Sequence, residues 1–289
     1  MCDRFRVRPG FGLGKEPAAI DPLSAIGLVD DEDIVLDRAA LLLAAADRQE
    51  ASAELAAATG YLEALLVRLK AAARQHAGDT PAAHADALVT LLADSEGFSG
   101  DEDDYDAPEN SDLLAVLRRR RGIPISLSIL YVSLARAMGW RADILGLPGH
   151  VLVAIGSRAG HVLVDPFADG RPVDARGVKA IVVRALGRQT TVTAAHVEPL
   201  GNRAILVRLL MNQASRARRS GDAPRALTLY RRMTLVAPDR SSLWWERARL
   251  ERLAGDIDAA RRSLAAMRET THDPIVAGRI RAAVEALAR

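Results

Sequence analysis

The feature that most constrains the fold is a change of hydrophobic pattern at Gly139. Over residues 126–138, apolar side chains recur three and four positions apart, which predicts a helix that Gly139 ends. Three short runs rich in Val and Ile follow, separated by Gly-containing turns, and each run predicts a β-strand. The runs span residues 142–145, 150–155 and 161–165. Strands this close in sequence pair in hairpins, so the pattern predicts an α+β core with a small antiparallel sheet.

The residues before this core are predicted to be mainly helical. Residues 26–94 carry three runs of Leu and Ala at helical spacing, which predict an N-terminal helical subdomain. Residues 1–25 are rich in Gly and Pro and have no regular apolar period, which predicts a flexible arm. The core itself is then expected over residues 95–199.

The last part of the chain, residues 200–289, repeats itself with a period of 34 residues. Gly221-Asp222 recurs as Gly255-Asp256, and several apolar or small positions follow the same spacing. These pairs are Leu210 and Trp244, Ala214 and Ala248, Ala226 and Ala260, and Tyr230 and Leu264. The period predicts tetratricopeptide-like (TPR-like) helical repeats. Two such repeats are fewer than usually stand alone, so the tail is expected to pack on the first domain or on a partner.

Charge and cysteine content exclude several classes of protein. The 39 basic and 37 acidic residues nearly cancel, so the net charge of +2 gives no reason to expect binding to nucleic acid or to a membrane. No run approaches the ~18 apolar residues of a transmembrane helix, and the first residues lack the apolar segment of a signal peptide. Cys2 is the only cysteine, so no internal disulfide can form. A cytoplasmic location is therefore expected.

Ser126, His150 and Asp165 are the candidate catalytic residues. His150 opens one predicted strand and Asp165 ends the next, so a hairpin could bring them side by side. In such a pair the His takes a proton from a nucleophile, and the Asp fixes the tautomer of the His. Ser126 could be that nucleophile, or it could hydrogen-bond at the start of its helix, which is a common role of Ser. The frequency of Ser at helix starts favours the structural role.

Two charged runs and one aromatic pair each have a functional and a structural interpretation. The acidic run 101–106 lacks the spacing of a Ca²⁺ loop, so a solvated loop without a metal is expected. The basic run 118–121 could contact phosphate, but four arginines near the end of a helix also complement its dipole, which is favoured here. Trp244 is expected in the core of the tail, and Trp245 is the better candidate for contacting a partner. No cofactor is expected.

Five segments, taken together, resemble one family. They are residues 105–111 (YDAPENS), 119–131 (RRRGIPISLSILY), 147–150 (LPGH), 165–170 (DPFADG) and 203–212 (RAILVRLLMN). In this order they resemble the transglutaminase core, and more closely the bacterial SirB family of transglutaminase-like proteins with a tetratricopeptide tail. The resemblance covers roughly residues 35–270 and implies a papain-like core.

The resemblance also implies roles for individual residues. His150 and Asp165 fall on the transglutaminase His and Asp. Pro124 falls on the position of the catalytic cysteine, and a shift of two residues would put Ser126 there, but neither is a thiol. Family members of this type generally lack the cysteine, so the loss looks like a family trait. After Phe167 the chain has Ala-Asp-Gly where the family more often has Asn-Gly-Gly, so this loop is expected to differ in shape.

These features favour a non-catalytic binding or regulatory protein over an enzyme. Its degenerate cleft around Asn110, Ser126, His150 and Asp165 is expected to bind a protein or peptide partner, together with the tail and Trp245. The alternative is a hydrolase or acyltransferase that uses Ser126, His150 and Asp165. Geometry separates the two, because a nucleophilic Ser126 needs its hydroxyl within about 3.2 Å of a His150 ring nitrogen.

Overall fold

The computed structural model describes residues 21–49, 51–75, 78–157 and 159–287. Most of the predicted arm, residues 1–25, therefore lies outside the described residues. The prediction is wrong for the last residues of the arm, because Pro22–Ile26 form a short helix, α1. Asp21 caps this helix by accepting a hydrogen bond from the Ser24 N–H at 3.1 Å, and burial of Ile26 attaches the helix to the core.

Three longer helices form the rest of the N-terminal part. They are α2 (Leu36–Ala45), α3 (Ala51–Ala73) and α4 (Pro81–Val89), and α4 continues as a π-helix over Thr90–Ser95. The Thr80 hydroxyl caps α4 by accepting the Ala83 N–H at 3.2 Å. Pro81 suits the next position because the first turn needs no intrahelical donor. These elements are helices, as the apolar spacing within residues 26–94 predicts, and the bounds of the subdomain stay a prediction.

The central part combines a small sheet with helices on either side of it in sequence. Helix α5 (Leu113–Arg119) lies between two short parallel strands, β1 (Ser99–Gly100) and β2 (Arg121–Gly122), and helix α6 (Pro124–Ala137) follows. The main sheet is antiparallel, in the order β3-β4-β5-β6. Its strands are β3 (Ala142–Leu147), β4 (His150–Ser157), β5 (Gly160–Asp165) and β6 (Arg171–Pro172), and helix α7 (Ala175–Leu186) comes next. The predicted α+β class is confirmed.

Helix α6 is buried on every side and not on one stripe alone. Of its residues, Ser133, Arg136 and Ala137 are the ones that are not fully buried. The helix packs against α2, α3, α4 and strands β3 and β4. A helix that is apolar all round is typical of a core surrounded by other elements. The start of α6, where the cysteine of a thiol enzyme would lie, is therefore inside the protein.

The tail consists of antiparallel helices that repeat the 34-residue period. They are α8 (Asn202–Arg219), α9 (Ala223–Val236), α10 (Ser241–Leu253), α11 (Ile257–Glu269) and α12 (Pro274–Ala286). Asp222 and Asp256 cap α9 and α11 in the same way, each accepting a main-chain N–H at 2.9 Å. Gly221 and Gly255, which precede them, share the left-handed conformation, with φ of 76° and 80°. The sequence period thus corresponds to two similar helical hairpins.

The first hairpin of the tail belongs to the main hydrophobic core. Ile205 and Leu209 of α8 and Leu229 of α9 lie in the same buried cluster as α2, α3 and α6. A separate cluster joins α10, α11 and α12. The predicted boundary at residue 199 therefore cuts through a continuous core, because α8 and α9 pack on the first domain.

Trp244 is less buried than its place in the repeat predicts. Its counterpart Leu210 is 1% exposed, whereas Trp244 is partly exposed, as is Trp245. The Trp244 indole N–H donates to the Pro238 carbonyl at 2.7 Å, which holds the ring at the edge of the hairpin. The neighbouring Leu243 is fully buried. The expected contrast between a core Trp244 and an exposed Trp245 is therefore wrong.

An aspartate from the N-terminal part caps the first tail helix. The Asp31 carboxylate accepts the main-chain N–H groups of Asn202 at 2.9 Å and of Arg203 at 2.7 Å. These donors have no partner within α8, and the helix dipole also favours a negative charge there. A Cβ at position 201 would lie 2.5 Å from a carboxylate oxygen of Asp31, so this contact requires Gly201.

Replacing Asp31 by Ala should lower the free energy of unfolding by about 1–2 kcal/mol, because two donors of α8 lose their acceptor. Urea unfolding followed by circular dichroism measures this. Asp33→Ala is the matched control, because Asp33 lies close by and is exposed. It should change the free energy by less than about 0.5 kcal/mol. Equal losses in the two variants would contradict the capping role.

Candidate functional site

His150 and Asp165 meet at one end of the main sheet. His150 begins β4 and Asp165 ends β5. Because these two strands pair antiparallel, the start of β4 and the end of β5 lie at the same end of the sheet. The His150 Nε2 atom is 2.7 Å from Asp165 Oδ2, and both side chains are 13% exposed. The other carboxylate oxygen, Oδ1, accepts the Phe167 N–H at 3.0 Å. The carboxylate is thus held from both sides, and it fixes the orientation of the imidazole.

The turn before His150 determines where its side chain begins. Leu147 and His150 pair across β3 and β4, so Pro148 and Gly149 form a two-residue turn. Gly149 has a φ of +69°, which residues with a side chain rarely adopt. Proline followed by glycine suits such a turn, because proline supplies a fixed φ and glycine supplies the positive one. The Leu-Pro-Gly-His segment therefore restricts the main-chain conformation immediately before His150.

Ser126 makes no hydrogen bond to His150. Its side chain is completely buried, and its hydroxyl lies 2.7 Å from the Asn110 carbonyl and 3.0 Å from the Ile123 carbonyl. The Oγ atom also accepts the Ile123 N–H at 3.1 Å. A serine hydroxyl can donate one hydrogen bond, and here main-chain carbonyls accept it. The structure therefore places Ser126 in the helix-start role.

Pro124 is the first residue of α6, and it is buried. Proline is favoured at this position because its fixed φ suits the helix and its missing N–H would have no intrahelical partner. Its ring carries no nucleophilic atom. The residue aligned with the catalytic cysteine therefore serves to start the helix.

Asn110 is also fully buried, and its side chain links the acidic run to α5. The Nδ2 atom donates to the Asp104 carbonyl at 2.7 Å, and Oδ1 accepts from Arg119 Nη1 at 2.9 Å. The Asn110 carbonyl accepts the Ser126 hydroxyl and the Ile123 N–H. The expectation that Asn110 and Ser126 contact a ligand does not match this placement, because their polar atoms are bonded inside the protein.

The acidic run 101–106 is not wholly solvated, because Asp101 is buried. Its Oδ2 atom pairs with Arg119 Nη2 at 2.9 Å, and Oδ1 accepts the Asp104 N–H at 3.1 Å. Burial alone would raise the pKa of Asp101. The hydrogen bonds from Asp104, Asn110 and Arg119, with the charge of Arg119, outweigh burial and lower the pKa below its usual value.

The basic run 118–121 makes specific contacts in addition to any effect on the helix dipole. Arg119 holds the acidic run, as described above. Arg120 ends α5 in the left-handed conformation, and its guanidinium lies 3.3 Å from the buried Glu96 carboxylate. Arg121 donates to the Gly100 carbonyl at 3.3 Å. These arginines therefore fasten α5 and β2 to the segment before them.

Arg208 of α8 contacts the main chain of the site, a contact that no local sequence pattern indicates. Its Nη2 atom donates to the carbonyls of His150 at 2.9 Å and of Leu147 at 3.4 Å. Burial lowers the pKa of Arg208, and the nearby Tyr105 hydroxyl acts in the opposite direction. The only signal in the sequence is the family resemblance of segment 203–212, which gives no role to this residue.

Trp245 lies in the cluster formed by α10, α11 and α12, separate from the cluster around α6. The guanidinium of Arg279 lies over its ring, 4.8 Å from the ring centroid. This cation–π contact covers one face of the indole. The structure does not place Trp245 in the cluster that supports the His150–Asp165 pair.

Two absences hold for the described residues. No group of three or more His, Cys, Asp or Glu side chains within those ranges is arranged to hold a metal ion. No helix in the same ranges combines the length and the apolar character that crossing a membrane requires. The expectation of no metal and no cofactor stays a prediction.

The chain belongs to the transglutaminase-like superfamily. The family model of that description matches residues 56–211, which is more than half of the chain. The match includes the His150–Asp165 pair and ends within α8, after Arg208. The family match therefore extends past residue 199 into the first part of the first tail helix.

Relatives occur in bacteria and in animals. The chain is 34% identical over 194 residues to a UPF0162 protein of Xylella fastidiosa (strain 9a5c), covering 65% of this chain and 67% of that protein. It is 30% identical over 144 residues to human F-box only protein 21, covering 47% of this chain and 22% of that protein. The structural match to a crystal structure of menin covers 85% of this chain and 68% of the menin chain, with 13% sequence identity and a TM-score of 0.36. A TM-score this low does not indicate a shared fold.

Ser126→Ala should lower the free energy of unfolding by about 1–3 kcal/mol, because the buried Ile123 N–H and Asn110 carbonyl lose a partner. Ser128→Ala is the matched control, since Ser128 is equally buried and its hydroxyl has no partner among the described residues. This variant should leave the stability unchanged or raise it. Thermal and urea unfolding measure both. A larger loss for Ser128→Ala would contradict the assigned role of Ser126.

The lowered pKa of Asp101 predicts a pH-dependent contribution to stability. The folded pKa lies below the unfolded value of about 3.9, so the stabilisation is present above about pH 4 and is lost as the pH falls through the folded pKa. Asp101→Asn should cost about 1–3 kcal/mol at neutral pH, and the difference from the unchanged protein should shrink in acid. Urea unfolding across this range measures it. Asp103→Asn, at an exposed position of the same run, should show no such trend.

Proposed function

We propose that this chain is a non-catalytic binding or regulatory protein, which holds a peptide or a segment of a partner protein at a transglutaminase-like cleft. The observation that carries the proposal is the position of Ser126. Ser126 lies two residues after Pro124, the position that the resemblance assigns to the cysteine. Its hydroxyl is nevertheless buried and hydrogen-bonded to the main chain. Among the described residues, no thiol or hydroxyl hydrogen-bonds to the His150 ring, whose bonded partner is Asp165.

In this proposal the His150–Asp165 pair serves recognition. The carboxylate binds Nε2, so the Nδ1 atom of a partly exposed imidazole is available to a ligand as donor or acceptor. Tyr105 and Phe167 add aromatic surface beside it, with ring centroids 5.7 Å apart. Aromatic side chains of this kind are enriched where proteins bind one another.

A hydrolase or acyltransferase that uses Ser126, His150 and Asp165 is disfavoured. To act as a nucleophile, Ser126 would have to leave both carbonyl acceptors and turn toward His150. The Ile123 N–H would then lose one of its two acceptors and keep the Asn110 carbonyl at 3.2 Å, at a cost of about 0.5–1.5 kcal/mol. No observed contact compensates for this cost.

The tail supplies the second part of the proposal. Its two 34-residue hairpins suit a tetratricopeptide-like pair, as in the SirB family that the sequence resembles, and such repeats offer surfaces for protein partners. Because α8 and α9 are part of the main core, to which α10 adds Leu243, the rest of α10 and helices α11 and α12 are the portion left to contact a partner. Trp245 and the covering Arg279 belong to that portion. A cytoplasmic location remains part of the proposal, on the cysteine content.

The purified protein should select a set of peptides from a random peptide array. His150→Ala should weaken the binding of those peptides by about tenfold or more, because a fixed, partly desolvated side chain of this kind dominates recognition. Fluorescence anisotropy measures the affinities. His161→Ala is the matched control, since His161 is an exposed histidine on the adjacent strand β5. It should bind as the unchanged protein does.

The bound peptides should be recovered intact after long incubation with the protein, as judged by mass spectrometry. A fluorophosphonate probe should leave Ser126 unlabelled. Peptide cleavage, or Ser126 labelling that His150→Ala abolishes, would replace this proposal with the hydrolase. Absence of any selected peptide would remove the binding role.

A further inference from the structure

Arg208 is a partly buried cation that pairs with no carboxylate among the described residues. Its Nη2 atom donates to the two carbonyls that flank the Pro148–Gly149 turn, whereas Nε and Nη1 make no hydrogen bond within those residues. Three of the other four arginines of the same helix differ in this respect, and the fourth, Arg216, donates to the Asp106 carbonyl. Arg203, Arg218 and Arg219 each lie against a carboxylate of another element.

An arginine in this position has unused binding capacity. Removing a guanidinium from water is costly unless a negative charge or hydrogen-bond acceptors replace its hydration. Arginine carries five N–H donors, and the two carbonyls satisfy the pair on Nη2. A Cβ at position 146 would lie 3.0 Å from Nη1, so Gly146 leaves the room that this nitrogen occupies. The remaining donors suit an anionic group supplied from outside the chain.

A continuous series of contacts connects Arg208 with the candidate cleft. Arg208 binds the main chain of His150, and the His150 imidazole binds Asp165. Phe167, whose N–H binds the same carboxylate, packs edge-on against Tyr105. Burial raises the pKa of the Tyr105 hydroxyl, and the nearby charge of Arg208 opposes that effect. Tyr105 is 49% exposed, whereas the His150 and Asp165 side chains are each 13% exposed.

We propose that Arg208, His150 and Tyr105 form a recognition site for a carboxylate group of the bound peptide or protein. Arg208 supplies the positive charge, and the Tyr105 hydroxyl donates a hydrogen bond. Because Nε2 of His150 donates to Asp165, His150 binds the carboxylate through Nδ1–H of its protonated ring. This inference rests on the proposed binding role of the same cleft and adds the chemical class of the group that is bound.

A singly charged group fits this site better than a doubly charged phosphate. Among the described residues, Arg208 is the arginine that contacts the turn before His150, whereas phosphate sites generally use clusters of arginines. Asp165 contacts His150, and Asp106 acts on Tyr105 by raising its pKa, so two carboxylates already lie near the site. Their repulsion grows with the charge of the ligand.

The carboxylate could come from a chain terminus or from an acidic side chain, and three small probes separate these sources. N-acetylglycine carries a main-chain carboxylate, N-acetylglutamate α-amide carries a side-chain carboxylate, and N-acetylglutamine α-amide is the neutral isostere. NMR titration follows the ring signals of His150, which His150→Ala assigns. At least one of the two acids should shift these signals in a saturable manner, and the neutral amide should not. The stronger acid identifies the source.

Arg208→Gln should weaken binding of the stronger acid by about ten- to a hundredfold, the usual effect of losing a hydrogen bond to a charged group. Arg208→Lys should retain part of the affinity, because it keeps the charge. Arg219→Gln is the matched control, since it removes one charge from the same helix at an arginine already paired with Asp106. It should bind like the unchanged protein. Thermal unfolding shows whether each variant keeps its fold.

The results separate this inference from the proposed function. If the array peptides bind but neither acid shifts the His150 signals more than the amide does, the carboxylate site is wrong and the binding role stands. If an acid binds in an Arg208-dependent manner but no peptide is selected, the site stands and the peptide-binding role is wrong. Equal losses in Arg208→Gln and Arg219→Gln would reduce the effect to general charge and overturn the site. The comparison of acid and amide on the unchanged protein needs no variant, so a poorly folded Arg208→Gln leaves the inference testable.

Discussion

The structure depends on how the buried start of α6 satisfies its main-chain groups. The first N–H groups of a helix have no intrahelical acceptors, and here they lie inside the protein and away from water. Proline at position 124 removes one of these donors. The Ser126 hydroxyl and the Asn110 carbonyl accept the N–H of Ile123, just before the helix. A residue that meets this requirement is not available as a nucleophile, so the same contact that supports the fold argues against catalysis.

The buried position of α6 also explains why the core extends into the tail. A helix that is apolar on all sides must be covered on all sides, and the sheet covers only part of it. Helix α8 packs on another part, and two polar contacts fix its position. Asp31 caps its N-terminus from the N-terminal subdomain, and Arg208 fastens its middle to the turn before His150. The geometry of the cleft therefore depends on a helix that is distant in sequence.

Local patterns predicted the local structure well. The apolar spacing before Gly139 places α6 within two residues of its observed start, and the Val- and Ile-rich runs correspond to β3, β4 and β5. Asp112 caps α5 by accepting the Ala115 N–H at 3.0 Å, a contact between residues three positions apart. Proximity of His150 and Asp165 could be predicted because a short hairpin connects them. Each of these features is determined by residues close to one another in sequence.

Most of the missed features depend on residues that are far apart in sequence. Asp101 looks solvated as part of an acidic run, and only the fold brings Arg119 to neutralise it. The 34-residue period corresponds to two similar helical hairpins, but it contains no information about which hairpin packs on α6. Arg208 looks like any arginine on an amphipathic helix until the Pro148–Gly149 turn is placed against it. Pairings between distant elements are not encoded in local periodicity.

The loss of the thiol changes the charge balance of the cleft as well as its chemistry. In a thiol enzyme, a thiolate at the helix start gains from the helix dipole and from a protonated His. Here the start of the helix carries a neutral proline, and the His150–Asp165 pair lacks its anionic neighbour. Arg208 adds a positive charge at the same edge of the sheet, without a carboxylate partner among the described residues. A carboxylate brought by a ligand would restore the missing negative charge without restoring a nucleophile. The presence of the His150–Asp165 pair beside Arg208 is therefore easier to explain by recognition of a ligand than by catalysis, which would need a nucleophile at the start of α6.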